Sequence, residues 1–597
     1  MWTTRPELRG THGMVSSTHW LGTAAGMAVL ENGGNAFDAA VAAGFVLQVV
    51  EPHLCGPGGE VPAIFATEGD PRPRVLCAQG VAPQAASIEH MRGLGYDIMP
   101  GSGLLPATVP GAWDGWLRLL RDYGTKTLRE VLGYAIGYAR HGYPVVERIT
   151  STITAVSELF ANHWPSSAAL WCPHGTPASG MHRNPVLADT WERLLAEAEL
   201  HSGREAQLDA ARSAWYTGFV AEAIDRFCRT PYRDESGAAH PGVLTGEDMA
   251  RWSASIEDPV TVHLGEWTLA KCGLWSQGTV LAQTLALLEG FRDELAYTEG
   301  IPSARTVQLA TECAKLAFAD REAHFGDSAR VSAEELLDPG YLAARRALVT
   351  DTANAELRPG SPGGAEPRLP EFVREGRGLA VPEQLDALGA VGEPTVGRTG
   401  NTRGDTVHVD VVDARGNIVS ATPSGGWLQS SPAIESLGFC LGTRAQMFWL
   451  EPGLPNSLAP GKRPRTTLTP SLALRAGEPR LAFGTPGGDQ QEQWQLCFWL
   501  AHIHGGLDLQ SAIDAPAWHS LSFPSSFSPR TWDPGALVVE SRLGPDTLAR
   551  LREIGHKVHD SGPWSLGRMC AVARDPETGL LRAGANPRND QGYAAGR

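Results

Sequence analysis

The chain has 597 residues, of which 42% are hydrophobic and 19% charged, the composition of a globular protein with room for a sizeable core. Its 66 acidic and 50 basic residues give a net charge of −16, which argues against nucleic acid or an anionic membrane as the main partner. The amino-terminal segment lacks the apolar core of a signal peptide, and the longest weakly polar run, Ala39 to Val50, is too short to span a bilayer. We therefore expect a cytoplasmic protein with no membrane partner.

Helices dominate the elements predicted before residue 350. Residues 21–31 have a helical pattern that ends at Gly33-Gly34, and Asn35 is placed to cap a second helix, rich in Ala and Val, that ends near Val50. Both helices are apolar enough to be buried. Further helices are predicted at residues 127–141, 210–228, 303–324 and 334–348.

The spacing of the cysteines and the lack of several known motifs bear on whether the sequence predicts a metal or nucleotide site. Nine cysteines are scattered between Cys55 and Cys570 without a C-x-x-C spacing, so we expect buried thiols rather than disulfides or a zinc site. The sequence contains no G-x-x-x-x-G-K-[ST], H-E-x-x-H or G-x-S-x-G motif. We therefore predict neither a metal nor a cofactor.

A predicted linker leads to a predicted β-hairpin in the last third of the chain. Residues 352–404 are rich in Pro and Gly with weak periodicity, which predicts a loop or linker, and Thr406 stands at the entrance of the hairpin that follows. Residues 413–420 read as the turn and the second strand. The alternation puts His408 on the face opposite its valine neighbours, where we interpret it as a packing or structural residue. Apolar and polar residues alternate along the first strand: Val407, His408, Val409, Asp410 and Val411.

Thr406 becomes a candidate nucleophile only if the chain is cut before it. An internal threonine hydroxyl is a poor nucleophile, and a threonine at a strand start is usually structural. Breaking the Asp405–Thr406 bond would free an α-amine, with an ordinary pKa of about 7.7–8, to act as general base for the neighbouring hydroxyl. Cleavage would leave residues 1–405 and 406–597, which we expect to remain one integrated structural domain.

The order of several further motifs resembles that of the γ-glutamyltranspeptidase family of N-terminal-nucleophile hydrolases. The resemblance implies an α+β fold, a four-layer αββα sandwich, with self-cleavage at Asp405–Thr406 into a heterodimer. It also implies hydrolysis or acyl transfer at an amide of a small-molecule substrate through an acyl-threonine intermediate. The matching segments are residues 13–19, 33–43, 50–59, 319–321, 404–413, Gly-Lys-Arg-Pro-Arg-Thr-Thr-Leu-Thr-Pro at 461–470, Gly-Thr-Pro-Gly-Gly at 484–488 and Ala-Asn-Pro-Arg-Asn-Asp at 585–590.

The resemblance also assigns roles around the nucleophile. Gly487-Gly488, after the apolar strand 481–483, matches the family's oxyanion hole, where glycine lets backbone N–H groups approach a developing charge. Ser424 matches a hydroxyl that hydrogen-bonds the nucleophile or its amine. Thr466 and Thr467 match two hydroxyls that line the substrate pocket. Without the resemblance, each of these residues would be interpreted as turn or loop chemistry.

The expected substrate pocket departs from the family pattern. Gln79 stands where the family has an arginine for the glutamyl α-carboxylate, and Met447 stands where it has an aspartate for the α-ammonium. A methionine cannot neutralise an ammonium, so a zwitterionic glutamyl group should bind poorly. Arg444 could instead grip an acidic acyl group that lacks an amine, or it could pair with a surface acid. Glu60 is a further departure, since the family usually has Gly or Asp there.

Three other functions stay open at this point. The chain could be a γ-glutamyl transferase or glutathione hydrolase proper. It could keep the nucleophile but cleave a carbon–carbon bond of a 2-oxo acyl substrate in secondary metabolism. It could also be a binding protein without catalysis, which denaturing electrophoresis would reveal as a single inert chain.

Overall fold

The computed structural model describes residues 3–379, 395–399, 402–403, 406–588 and 591–597, and two seven-stranded antiparallel sheets form the centre of this described part. From edge to edge, the first sheet consists of Tyr593–Gly596, Gly13–Ser17, Val409–Asp413, Ile418–Ala421, Val61–Thr67, Asp70–Ala78 and Ser255–Glu257. The second sheet consists of Leu8–Gly10, Leu581–Ala585, Cys570–Arg574, Glu478–Gly484, Ser471–Arg475, Trp267–Lys271 and Val260–Leu264.

The two sheets face each other and each is covered by helices on its outer side. An apolar layer that includes Met14 and Ile64 from the first sheet and Leu472 and Val572 from the second lies between them. Alternate residues of the same strands, such as Val411, point to the helices outside. Because side chains alternate across a strand, each sheet can fill both an inner and an outer core. The predicted four-layer αββα sandwich is confirmed.

The helices fall into two groups along the chain. Those before residue 251 are Trp20–Glu31, Ala36–Val50, Ile88–Gly93, Ala112–Tyr123, Leu128–His141, Glu147–His163, Pro165–Trp171, Pro185–Ala198, Arg204–Tyr216, Phe219–Cys228 and Gly246–Ala250. Those after it are Gly278–Leu288, Ala304–His324, Ala333–Leu336, Pro339–Arg346, Glu371–Arg374, Gln491–Trp499, Leu509–Asp514 and Pro545–Glu553. Within the described ranges, no helix combines the length and apolarity that a bilayer span requires.

Short strands complete the fold away from the central sandwich. A three-stranded sheet is formed by Trp518–Ser520, Ala536–Val539 and Lys557–Asp560. Two-residue strands pair as Tyr143–Pro144 with Met181–His182, Tyr232–Arg233 with Ala239–His240, Tyr297–Thr298 with Ile301–Pro302, and Thr395–Val396 with Thr402–Arg403.

Four of the predicted helices are confirmed, and two predictions are wrong in the same way. The helix predicted at 210–228 is interrupted at Gly218, which has a non-helical backbone and precedes the second segment. The helix predicted at 334–348 is divided at Pro339, because proline cannot donate the backbone hydrogen bond that a continuing helix requires. Asp338 caps the second segment by accepting from Tyr341 N at 2.9 Å. The confirmed helices are Trp20–Glu31, Ala36–Val50 with its Asn35 cap, Leu128–His141 and Ala304–His324.

The predicted linker and the cysteines can be compared with the structure in part. In residues 352–379, the short helix Glu371–Arg374 and a 3-10 turn at 362–364 are the regular elements described. Residues 380–394, 400–401 and 404–405, including the predicted cleavage residue Asp405, lie outside the described residues. All nine cysteines are described and are free thiols, and eight of them are buried.

Candidate active site

Thr406, Ser424 and Glu60 lie side by side at one end of the first sheet. The hairpin register that pairs Val409 with Ala421 continues to a bridge between Thr406 and Ser424. Ser424 forms a second antiparallel bridge with Glu60, in which Glu60 N donates to Ser424 O at 2.9 Å and Ser424 N donates to Glu60 O at 3.0 Å. Directly paired residues of antiparallel strands have their side chains on the same face. The three side chains therefore form a row.

Gln79 follows the last paired residue of the next strand. Val61 pairs with Ala78, and this pairing ends next to Glu60 and Gln79. Gln79 is buried. Because neighbouring strands lie about 4.8 Å apart, the row of three spans about 10 Å from Thr406 to Glu60.

The Thr406 hydroxyl is buried and faces Ser424. Thr406 Oγ1 lies 3.3 Å from Ser424 Oγ, to which it donates a hydrogen bond. Thr406 is thus placed at the entrance of the Val409–Asp413 strand, as the sequence predicts. The contact brings together the predicted nucleophile and the predicted hydroxyl partner.

Arg444 connects Ser424 to Glu60. It opens the 3-10 turn Arg444–Met447, and its guanidinium is buried. Arg444 Nε donates to Glu60 Oε1 at 2.6 Å, and Arg444 Nη2 donates to Ser424 Oγ at 2.8 Å and also contacts Glu60 Oε1. The partner of Arg444 is therefore an acid, but a buried one rather than the surface acid considered from the sequence.

The remaining surroundings of Arg444 are apolar or aromatic. Met447 is fully buried with its Sδ 3.8 Å from Arg444 Nη1. The rings of Trp427 and Phe527 lie 5.4 and 6.0 Å from the guanidinium carbon, within the range of cation–π attraction. These three side chains form one buried cluster around the arginine.

Glu60 occupies a niche that a glycine makes possible. Burial raises the pKa of the Glu60 carboxyl, while the charge and hydrogen bond of Arg444 oppose that rise. A Cβ atom on Gly425, whose φ is +75°, would fall 2.7 Å from Glu60 Oε2. Only glycine therefore leaves room for the carboxylate beside Ser424.

Two of the predicted pocket residues have buried polar atoms without a partner among the described residues. They are Gln79, at both Oε1 and Nε2, and Thr467, at Oγ1. A buried polar atom left without a hydrogen bond disfavours the folded state by about 1–3 kcal/mol. Thr466 is held through its backbone, with N donating to Trp275 O at 2.9 Å and O accepting from Gln277 N at 3.0 Å.

Gly487 and Gly488 form a turn after the strand Glu478–Gly484. Their φ angles are +126° and +55°, in the region that favours glycine. A Cβ atom on Gly487 would lie 2.2 Å from the Trp494 ring. The turn precedes the helix Gln491–Trp499, so its backbone lies at the positive end of a helix dipole.

The glycine turn is anchored by residues that the sequence analysis did not assign. Gln277 Nε2 donates to Gly488 O at 3.1 Å, and Arg321 Nη1 donates to Gln277 Oε1 at 2.9 Å. Arg321 also pairs with Asp489, the residue after the glycines. Arg321 lies in one of the matching motifs, which was the available signal, whereas nothing in the sequence indicated Gln277.

The His408 ring is held by two side chains of the hairpin. Its Nδ1 lies 3.0 Å from Thr422 Oγ1 and its Nε2 lies 2.9 Å from Asp410 Oδ1, all of them buried. Burial raises the pKa of Asp410. A Cβ atom on Gly484 would fall 2.2 Å from His408 Cε1, so this ring fills the space between the two sheets. These contacts agree with the structural role expected for His408.

Comparisons with known proteins agree with this arrangement. A family model described as Gamma-glutamyltranspeptidase matches residues 22–596. The oxamate amidohydrolase proenzyme of Klebsiella pneumoniae is 31% identical over 98% of each chain. Among solved structures, LmbA2991HD is 56% identical with a TM-score of 0.93 over the full length of both chains. The cephalosporin acylase from Bacillus halodurans is 26% identical with a TM-score of 0.81, covering 100% of this chain and 97% of that one.

The matches extend over nearly the whole chain, and they include proenzymes and a solved acylase with the same fold. They agree with the αββα sandwich and with the motif order around Thr406. The chain therefore belongs to the γ-glutamyltranspeptidase family and is an enzyme of that family with the N-terminal-nucleophile hydrolase fold.

Proposed function

We propose that this protein is a self-cleaving amidohydrolase or acyltransferase whose nucleophile is Thr406. Residues 1–405 and 406–597 would be the two chains of the mature heterodimer. The observation that carries the proposal is the row in which the Thr406 hydroxyl faces Ser424 Oγ at 3.3 Å at the start of the hairpin. Both halves of the chain contribute to each sheet, which supports their staying together after cleavage.

Self-cleavage would use the Thr406 hydroxyl on the preceding peptide bond. Thr406 Oγ1 attacks the Asp405 carbonyl carbon, the C–N bond breaks as the acyl group moves from nitrogen to oxygen, and the hydroxyl proton passes to the Thr406 nitrogen. Water then hydrolyses the resulting ester. The hydroxide part of the water goes to the Asp405 carbonyl as a new carboxylate, and a proton returns to the Thr406 oxygen. The Thr406 α-amine is left free.

Turnover would repeat this chemistry on a substrate amide. The free amine accepts the Thr406 hydroxyl proton while the oxygen attacks the acyl carbon. The tetrahedral oxyanion is stabilised by backbone N–H groups of Gly487 and Gly488, a role that their positive φ angles and their place before a helix support. The proton passes to the leaving amine, and water or a second acceptor then takes the acyl group from Thr406.

We further propose that the acyl group lacks an α-ammonium. Met447 provides no carboxylate for an ammonium, and the Arg444 guanidinium against its sulfur is already paired with Glu60. Gln79, just after the strand pair Val61–Ala78, provides a neutral amide in place of a charged group. An acidic acyl group, as expected from the sequence, would have to share Arg444 with Glu60. The contacts thus support exclusion of an ammonium more directly than recruitment of a carboxylate.

Mass spectrometry of the purified protein, alone and after reaction with an activated acyl ester, tests the nucleophile. We expect two chains, with the smaller one beginning at Thr406 and carrying the acyl group on that residue. A label elsewhere, or an uncleaved chain that turns over substrate, would contradict the proposal. Identification of the products then distinguishes an amine leaving group from the carbon fragment that carbon–carbon bond cleavage would release.

A further inference from the structure

Glu60 lies two positions from the nucleophile in the row, yet the family resemblance gives it no role. We propose that Glu60 is a positioning residue that orients the Ser424 hydroxyl toward Thr406 by holding the Arg444 guanidinium. This inference rests on the proposed function of Thr406. It explains two differences from the family pattern, Glu60 and Arg444, by one interaction between residues that lie 384 positions apart in the sequence.

The first step of the argument is the position of the Arg444 guanidinium. Its Nε and Nη2 both contact Glu60 Oε1, and Nη2 also donates to Ser424 Oγ. On the opposite side, Nη1 faces the Met447 sulfur, which is a weak acceptor. Glu60 is therefore the strong anchor of the arginine, since charge-assisted hydrogen bonds are stronger than neutral ones.

The second step concerns the Ser424 hydroxyl. Its oxygen has two lone pairs, and among the side chains that the structure describes Arg444 Nη2 approaches it at 2.8 Å and Thr406 Oγ1 at 3.3 Å. When the arginine fills one lone pair, the other is directed at Thr406. Ser424 then accepts a hydrogen bond that orients the Thr406 hydroxyl, while the freed α-amine remains the group that takes the proton during turnover.

The third step concerns why a charged group, the Arg444 guanidinium, holds the Ser424 hydroxyl. Serine hydroxyls rotate readily, and a neutral hydrogen bond would restrain Ser424 less than the buried guanidinium does. A lone buried arginine would be strongly unfavourable, so its negative partner must be buried with it. Gly425 provides the space for that partner, and the two Glu60–Ser424 backbone bonds keep the carboxylate beside the serine.

A double-mutant cycle between Glu60 and Ser424 tests the inference. The readouts are the rate of chain cleavage in freshly synthesised precursor and the turnover of p-nitrophenyl acetate. We expect Glu60→Gln to lower both the cleavage rate and kcat by about tenfold or more, with KM changed by less than about threefold. In the Ser424→Ala background, the same substitution should change the rates by less than about twofold, because the group through which it acts is gone.

Two further variants separate positioning from folding. Asp114→Asn removes a buried acid that pairs with Arg212 at 2.7 Å in the helical layer, and it should leave cleavage and kcat unchanged. The neutral double variant Glu60→Gln/Arg444→Met avoids an unpaired buried charge. It should fold as stably as Asp114→Asn but remain as slow as Arg444→Met alone, because Ser424 has lost its donor.

The outcomes are distinguishable from failure of the proposed function. An equal loss for Glu60→Gln with and without Ser424 would overturn the positioning role, and so would full activity of the neutral double variant. Neither result would affect Thr406 as nucleophile. Conversely, if a Thr406→Ala variant still undergoes chain cleavage and still turns over substrate, both the proposed function and this inference are contradicted.

Discussion

Thr406 Oγ1 lies 3.3 Å from Ser424 Oγ across a bridge of the hairpin, although the two residues are 18 positions apart in the chain. This separation is somewhat longer than the roughly 2.5–3.0 Å of an ordinary O–H···O hydrogen bond, so the two hydroxyls are in weak contact. The buried Arg444–Glu60 ion pair contacts this hydroxyl pair through Ser424. Each of these features leads to a measurable expectation.

Replacing the nucleophile should abolish both activities together. We expect Thr406→Ala to remain a single chain without turnover, whereas Thr406→Ser should retain part of both because it keeps a hydroxyl and can expose an α-amine. Denaturing electrophoresis and mass spectrometry report cleavage, and p-nitrophenyl acetate reports turnover. Thr217→Ala, at an exposed threonine after a helix, serves as the control that should behave as the wild type.

Gly487 should tolerate no side chain. Gly487→Ala would place a Cβ atom 2.2 Å from the Trp494 ring at a φ of +126°, so we expect a lower melting temperature. Displacing one oxyanion donor should also lower kcat by about 10²–10³. Gly562→Ala is a suitable control, since it has a φ of +90° and open space around the added atom. Equal effects of the two substitutions would show that backbone strain alone, and not the turn's position, is responsible.

The preferred acyl group can be determined by comparing p-nitroanilide substrates that differ in one charged group. We expect glutaryl p-nitroanilide to be turned over at least about tenfold more efficiently than γ-glutamyl p-nitroanilide, because the two differ only by the α-ammonium, for which Met447 offers no carboxylate. Comparison of kcat/KM for glutaryl and valeryl anilides then tests the carboxylate preference expected from the sequence. Efficient hydrolysis of γ-glutamyl p-nitroanilide or glutathione would contradict the proposed pocket.

Stability should fall as the pH drops below the ordinary histidine pKa. Burial lowers the pKa of His519 and of His556 to about 3, and that of His182 to about 4. In the unfolded chain these groups bind protons near the ordinary histidine pKa of about 6.5, so between that pH and about 4 the unfolded state binds more protons than the folded state. The free energy of unfolding therefore rises with pH across this window.

His519→Phe should reduce that slope. Removing one such histidine lowers the dependence by at most about 1.4 kcal/mol per pH unit, the value for one proton. Urea denaturation of the uncleaved Thr406→Ala chain between pH 4.5 and 6.5 measures it. His201→Phe, at an exposed position, is the matched control, and an unchanged slope for His519→Phe would contradict the assignment.

The amino-acid sequence by itself determined the local features. Valine alternation predicts the strand after Thr406, and Asn35 is correctly predicted to cap the helix Ala36–Val50, where it accepts hydrogen bonds from two backbone amides. These features depend on residues a few positions apart, so the sequence pattern contains the necessary information. The interruptions at Gly218 and Pro339 were equally local, but the surrounding helical periodicity obscured them.

Only the tertiary structure decided the partners across the site. The sequence shows that Arg444 and Glu60 are unusual, but their contact joins residues 384 positions apart. The place of Glu60 beside Ser424 and Thr406 depends on the pairing of the chain segments that carry these three residues. Long-range pairing of this kind follows from how whole sheets pack, because each strand's face is fixed by its neighbours rather than by its own pattern. For this reason Arg444, which the sequence suggests as a residue that binds a substrate carboxylate, is instead paired with Glu60 of the protein itself.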